Sequence, residues 1–219
     1  MKTLALASAI ALAFAGTAVR GDQNAVVQVD FTDDQISPSH WTLTLHSDGS
    51  GHFISEMGKA PEGSTQAIDA SNVDRDLQLS TGFTTRVFAV AQHHRLFNEG
   101  CESHLKVAFQ GWKKLSYTGP EGSGSCTFNY SKDKEIEELG DSFGAVAETI
   151  LEGARLEKLL QHDRLGLDRE MEYLFDAAGS GRAQEICTIR KILVRLADDD
   201  EVLERVRKRA RLLLAQAGS

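Results

Sequence analysis

The chain has 219 residues, 41% hydrophobic and 26% charged, a globular composition with enough length to bury a sizeable core. Its formal charge of -8 at pH 7 argues against nucleic acid or anionic lipid as a partner, since both reward concentrated positive charge. The three cysteines, Cys101, Cys126 and Cys187, are too few for a scaffold built from disulfides.

In chain order, the first expectation is an export signal over residues 1–18. Met1-Lys2 gives a positive start, and Thr3 to Val19 carries no charge. Ala13-Phe14-Ala15 and Gly16-Thr17-Ala18 then supply the small-x-small spacing that a signal peptidase accepts. The stretch is Ala-rich and near the shortest length that spans a bilayer, so cleavage before Gly16 or Val19 is favoured over a retained membrane anchor. No cysteine stands at the cleavage point to carry a lipid. The expected location is periplasmic or extracellular, outside the reducing cytosol.

Residues 19–131 read as an antiparallel sheet with one covering helix. Val27, Val29 and Phe31 alternate with polar residues, as do Trp41, Leu43 and Leu45. Asp48-Gly49 between two such runs is a hairpin signal, because Gly accepts the positive φ of a tight turn. Further strands are expected over 76–79, 105–109, 113–117 and 126–130, with the Gly- and Ser-rich stretch 118–125 as a loop. Phe83, Val87, Val90, His94 and Phe97 instead keep helical spacing. That helix is the natural cover for the apolar face of the sheet.

A disulfide between Cys101 and Cys126 is expected. Cys126 shares strand parity with Phe128 and Tyr130, and Cys101 follows the end of the covering helix. Cys187 beside Ile186 reads as a buried thiol.

Residues 132–219 read as an antiparallel bundle of four helices, giving an α+β fold class. Gly140 is expected to stop a helix, with Asp141 or Ser142 capping the next, whose stripe runs Phe143, Val146, Ala147, Ile150, Leu151 and Ala154. Gly166 and Asp168 read as the following stop and cap, and Gly179-Ser180-Gly181 as another stop. Ile186, Ile189, Leu193 and Leu196 mark a third helix, and Asp198 to Glu201 reads as the capping box of the last.

No motif assembles a catalytic site. Gly140-Asp141-Ser142-Phe143-Gly144 matches G-x-S-x-G, but the nucleophile elbow needs a hydrophobic strand before it, and 132–138 is charged. Ser131-Lys132-Asp133-Lys134 fits S-x-x-K without its partner motifs and reads as a helix cap followed by solvated lysines. His93 and His94, adjacent in a helix, point about 100° apart, poor geometry for one metal. His40, His46 and His52 recur every six residues, and His46 and His52 could face each other across the hairpin with Asp48 at its tip. Cross-strand histidines on a solvated face explain that spacing equally well. Neither Gly-rich turn carries the lysine of a phosphate loop. The basic cluster Arg205, Arg207, Lys208, Arg209 and Arg211 reads as an exposed helix end complementing the dipole.

The expected function is therefore an exported, non-catalytic binding or structural protein, with no cofactor or resident metal and with another envelope or secreted protein as partner. One alternative is an envelope serine hydrolase using Ser142 with His162 or His104 as base. Another is an inhibitor presenting the hairpin tip 47–51.

Overall fold

The computed structural model describes residues 25–58 and 72–217, so the expected export signal lies outside the described residues. Six strands form one antiparallel sheet: β1 (Val26–Thr32), β2 (His40–His46), β3 (Ser50–Glu56), β4 (Val73–Gln78), β5 (Trp112–Gly119) and β6 (Gly122–Phe128). Their order is β4-β3-β2-β1-β5-β6. The period-two pattern puts Val27, Val29, Trp41, Leu43, Leu45, Phe53, Leu115 and Tyr117 on one buried face. Gly49 closes the β2–β3 hairpin at φ 84°, as the Asp-Gly signal requires. The hairpin tip is tied down, because Gly49 also accepts a hydrogen bond from the Leu79 N–H at 2.9 Å.

Helix α1 (Thr81–His93) starts at Ser80, whose side chain accepts the Phe83 N–H. It lies on the buried face of the sheet through Phe83, Val87 and Ala91. Beside it runs α2 (Lys134–His162), capped by Asp133, which accepts from the Glu135 and Ile136 N–H groups. The chain is thus of the α+β class, with α3 (Leu167–Gly179), α4 (Arg190–Asp198) and α5 (Glu204–Gln216) completing the helical half.

Helix α2 is continuous through Gly140, which is not the stop its sequence suggests. A Cβ at 140 would stand 2.9 Å from Lys113 Cδ and 3.0 Å from Phe128 Cζ, so the glycine serves close approach of helix to sheet. Ile136, Leu139, Phe143, Val146 and Ile150 join α1 and the sheet in one core. Further along, Leu156, Leu159 and Leu160 join α3, α4 and α5 in a second. The last strand ends at Phe128 and α2 begins at Lys134, and this one helix belongs to both cores.

Three other expectations shift. Residues 105–109 are not a strand, although Leu105, Val107 and Phe109 alternate, and those three side chains are exposed. The Asn129 side chain accepts from the Gln110 N–H and donates to the Ala108 carbonyl, taking the place of a backbone ladder. The stretch 118–125 is mostly strand, turning only between the paired Gly119 and Gly122. Helix starts also move. Asp198 closes α4 and α5 begins after Leu203, so the expected capping box is not formed. Gly166, not Asp168, stands at the N-cap of α3.

Four of the five residues of the basic cluster are ion-paired. Arg205 and Arg209 both reach Asp168, at 2.6 and 3.0 Å, and Arg209 also meets Glu172 at 3.4 Å. Arg207 pairs with Asp200, and Arg211 with Glu204. Arg209 is therefore not a free surface residue, and its pairs, with that of Arg205, tie α5 to α3, while Arg205, Lys208 and Arg211 stay exposed as expected. Among the described residues, no helix is long and apolar enough to cross a membrane.

Candidate functional site

Between the sheet end and the α2–α3 corner lies a cleft of about 1080 Å³. One wall is apolar. Phe31 and Trp41, at the end of the β1–β2 pair, stack with centroids 5.1 Å apart, and Ile36 and Pro38 extend that wall. The facing wall is charged and comes from α2 and α3: Glu148, Glu152, Arg155, Arg169, Glu170 and Tyr173. A stacked aromatic pair opposite fixed charges is the usual composition of a small-molecule site, an apolar body with a few orienting polar groups.

Glu152 is the unusual member of this set. Its side chain is 3% exposed, and Oε1 accepts from Arg155 Nη1 at 2.6 Å. The other oxygen, Oε2, is buried and meets no partner at hydrogen-bond geometry among the described residues, Glu170 being the carboxyl with which it can share a proton. Arg155 also reaches Glu170 at 3.3 Å, so one guanidinium serves two carboxylates. Burial pushes the Glu152 carboxyl up to about 7; Arg155 opposes this, while Glu148 and Glu170 reinforce it. Nearby, Tyr173 donates to Glu148 at 2.6 Å, and that bond together with burial pushes the phenol up to about 12.

The Glu152 shift has a measurable consequence. Between 4.5 and about 7 the folded protein holds a proton on Glu152 that the unfolded chain releases. The stability this group contributes is complete below 4.5 and is lost as the pH rises through about 7. A shift of this size is worth on the order of 2–3 kcal/mol. Glu152→Gln keeps an oxygen for Arg155 but cannot ionise. It is expected to be more stable than the parent by about 2 kcal/mol at a pH near 8, with the gain vanishing near pH 4.5. Urea midpoints across that range check this. A gain independent of pH would mean that Glu152 is not the titrating group.

The structure disperses most residues singled out from the sequence. Ser142 is buried within regular α2 and not on a strand-to-helix turn, so no nucleophile elbow is formed. His162 lies about 30 Å further along the same helix, at about 1.5 Å of rise per residue, and His104 sits in the irregular connection after α1. His46 and His52 do not face each other: His52 pairs with Thr44, and His46 with Val26. His40 instead meets Asp30 at 3.3 Å, and His52 meets Asp76 at 2.7 Å, all on the solvated face. Asp48 is occupied by the Ser50 N–H and hydroxyl.

Two expectations about histidine and cysteine change in kind. His93 ends α1, but His94 has already left helical geometry, with φ -94° and ψ 35°. The 100° rule applies only within a helix, and here the two rings lie 4.9 Å apart. Cys101 and Cys126 stand at disulfide distance, with Cα atoms 5.7 Å apart. Cys187 is a free thiol but only half-buried, and burial with the Glu185 carboxylate beside it pushes its pKa up to about 11.

Comparison with protein-family models, with curated proteins and with solved structures gives no match. The geometry of the molecule is accordingly the basis for any functional reading.

Proposed function

We propose that this is an exported binding protein that holds a small organic ligand in the cleft between the sheet and the α2–α3 corner, without covalent chemistry. The observation that carries the reading is Glu152, a buried carboxyl in the wall of a large cleft that holds a proton up to about pH 7 and whose Oε2 meets no hydrogen-bond partner among the described residues. An unpaired buried carboxyl is costly, and a bound hydrogen-bonding group removes that cost, an acceptor for the protonated form or a donor for the ionised one. The stacked Phe31–Trp41 pair opposite suits a flat or apolar body, so the ligand class is an aromatic or amphipathic molecule bearing a group, such as an amide, that both donates and accepts. Export is supported by the amino-terminal sequence and is consistent with a cysteine pair at disulfide distance.

Trp41 provides the readout, in a Trp112→Phe background so that a single indole is observed. A panel of small aromatic amines and amides is titrated against the folded protein. At least one is expected to give a saturable change in Trp41 emission that Glu152→Leu weakens about tenfold or more. No saturable response to any member, or a response indifferent to Glu152→Leu, would overturn the reading.

A further inference from the structure

We propose a divalent-metal site of the zinc class where the C-terminal end of α1 meets the N-terminal end of α2, held by His93, His94 and Glu135. The cluster lies outside the cleft and is independent of what the cleft binds. His93 Nδ1, His94 Nε2 and a Glu135 carboxylate oxygen all lie within 4.8 Å of one another. Glu135 Oε2 is the shared centre, 2.6 Å from His93 Nδ1 and 3.1 Å from His94 Nε2. Asp133 Oδ1 stands 3.7 Å from the same His94 nitrogen. Ligand atoms around a tetrahedral zinc at about 2.0–2.1 Å sit about 3.3 Å apart, so the 3.1 Å between His94 Nε2 and Glu135 Oε2 already approximates that figure, while the 2.6 Å between Glu135 and His93 has to widen.

The outer contacts give the strongest argument. His94 is 7% exposed on its side chain, and its Nδ1 lies 2.7 Å from Glu99 Oε1. Glu99 accepts the Nδ1 proton, and Nε2 faces Glu135 and Asp133, so an ion bound there displaces the proton that Nε2 shares with Glu135. A carboxylate behind a histidine is the arrangement that fixes tautomer and ring direction for metal ligation. His94 is thus the preset ligand. His93 and Glu135 are 70% and 50% exposed and can open by the fraction of an ångström that an ion needs. Charge also fits. The carbonyl end of α1 favours a cation, and Asp133 and Glu135 offset the opposing dipole of α2. Two imidazoles with one or two carboxylates select zinc-like ions over calcium or magnesium, which prefer all-oxygen shells.

Binding there would tie the helix that covers the sheet to the helix that enters both cores. The test is calorimetric titration of zinc chloride into the disulfide-intact full chain, freed of metal by a chelator, at neutral pH. One equivalent is expected to bind. His93→Ala and Glu135→Ala should each abolish saturable binding, and Glu99→Gln should weaken it about 10–100-fold. His93 and Glu135 are exposed, so these variants retain the fold, and circular dichroism verifies this. Cobalt substituted for zinc should give the visible absorption of a four-coordinate nitrogen–oxygen site. No binding by the parent, or one equivalent retained in the His93→Ala/Glu135→Ala double variant, would overturn the proposal. The latter would assign the ion to His40 or His52 on the open sheet face.

Discussion

Removing the Cys101–Cys126 link, by Cys101→Ala with Cys126→Ala, is expected to lower unfolding stability by about 3–4 kcal/mol. The crosslink closes a sequence separation of 25 residues, and the chain-entropy model assigns about that amount to a loop of this size. The loss should begin locally. Between the 3-10 turn Arg95–Phe97 and β5, the connection 98–111 has no regular structure. It is held by the cysteine pair, by the Ser103 N–H donating to the Tyr130 carbonyl, and by Asn129. Glu102 adds a further tie by accepting the Asn129 and His104 N–H groups, which holds its carboxyl below the usual range. Hydrogen exchange should therefore quicken first in 98–111. Denaturant titration of parent and variant gives the magnitude, and equal midpoints would remove the crosslink from the account of stability. In the oxidised parent, the thiol at Cys187 should alkylate more slowly than a free cysteine, since burial disfavours its thiolate.

That pair was legible in the sequence for a simple reason: strand parity is a rigid rule. Cys126 shares a face with Phe128 because side chains alternate, and the same rule correctly located Val27, Trp41 and Leu43 in the core. Asp48-Gly49 was equally legible, since few residues tolerate the φ a tight hairpin demands. Residues 105–109 obey the same alternation and still are not a strand, because pairing depends on what lies alongside and not on the segment itself. Glycine misled in the opposite way. At Gly140 it reads as a helix stop, yet what it provides is room for Lys113 and Phe128.

Neither candidate site could be read directly. Glu152 resembles a solvated helix residue because the apolar stripe of α2 lies on another face. Its burial comes from the second packing surface, where Ala145, Thr149 and Gly153 are also buried. Small residues opposite an apolar stripe are the signal that could have revealed a helix packed on both sides. A Cβ at 153 would come within 2.2 Å of Ile189, which shows how close that second approach is. The His93–His94 cluster was hidden by a different effect. Its geometry depends on the one residue at which α1 stops being helical, and helix ends are the least determined part of a sequence reading.

The continuity of α2 leads to the largest expected effect. Phe143 is fully buried where α2 crosses the sheet core, and its ring meets Phe83 of α1 edge-on at 5.4 Å. Phe143→Ala should cost about 3–5 kcal/mol, from lost burial and from the cavity left between two helices and the sheet. Alanine's better helix propensity returns only about half a kcal/mol of this. Phe143→Leu, which keeps most of the volume, should cost about 1.5 kcal/mol or less. The two cores share this helix, so tryptophan fluorescence, which reports the sheet, and far-UV circular dichroism, which reports chiefly the helices, should fall together in parent and variants. Separate transitions would mean that α2 can break between Ala154 and Leu156, leaving the bundle folded after the sheet has opened. A single transition that Phe143→Ala moves as a whole is the expected outcome, because a continuous helix cannot lose its grip on one core without loosening the other.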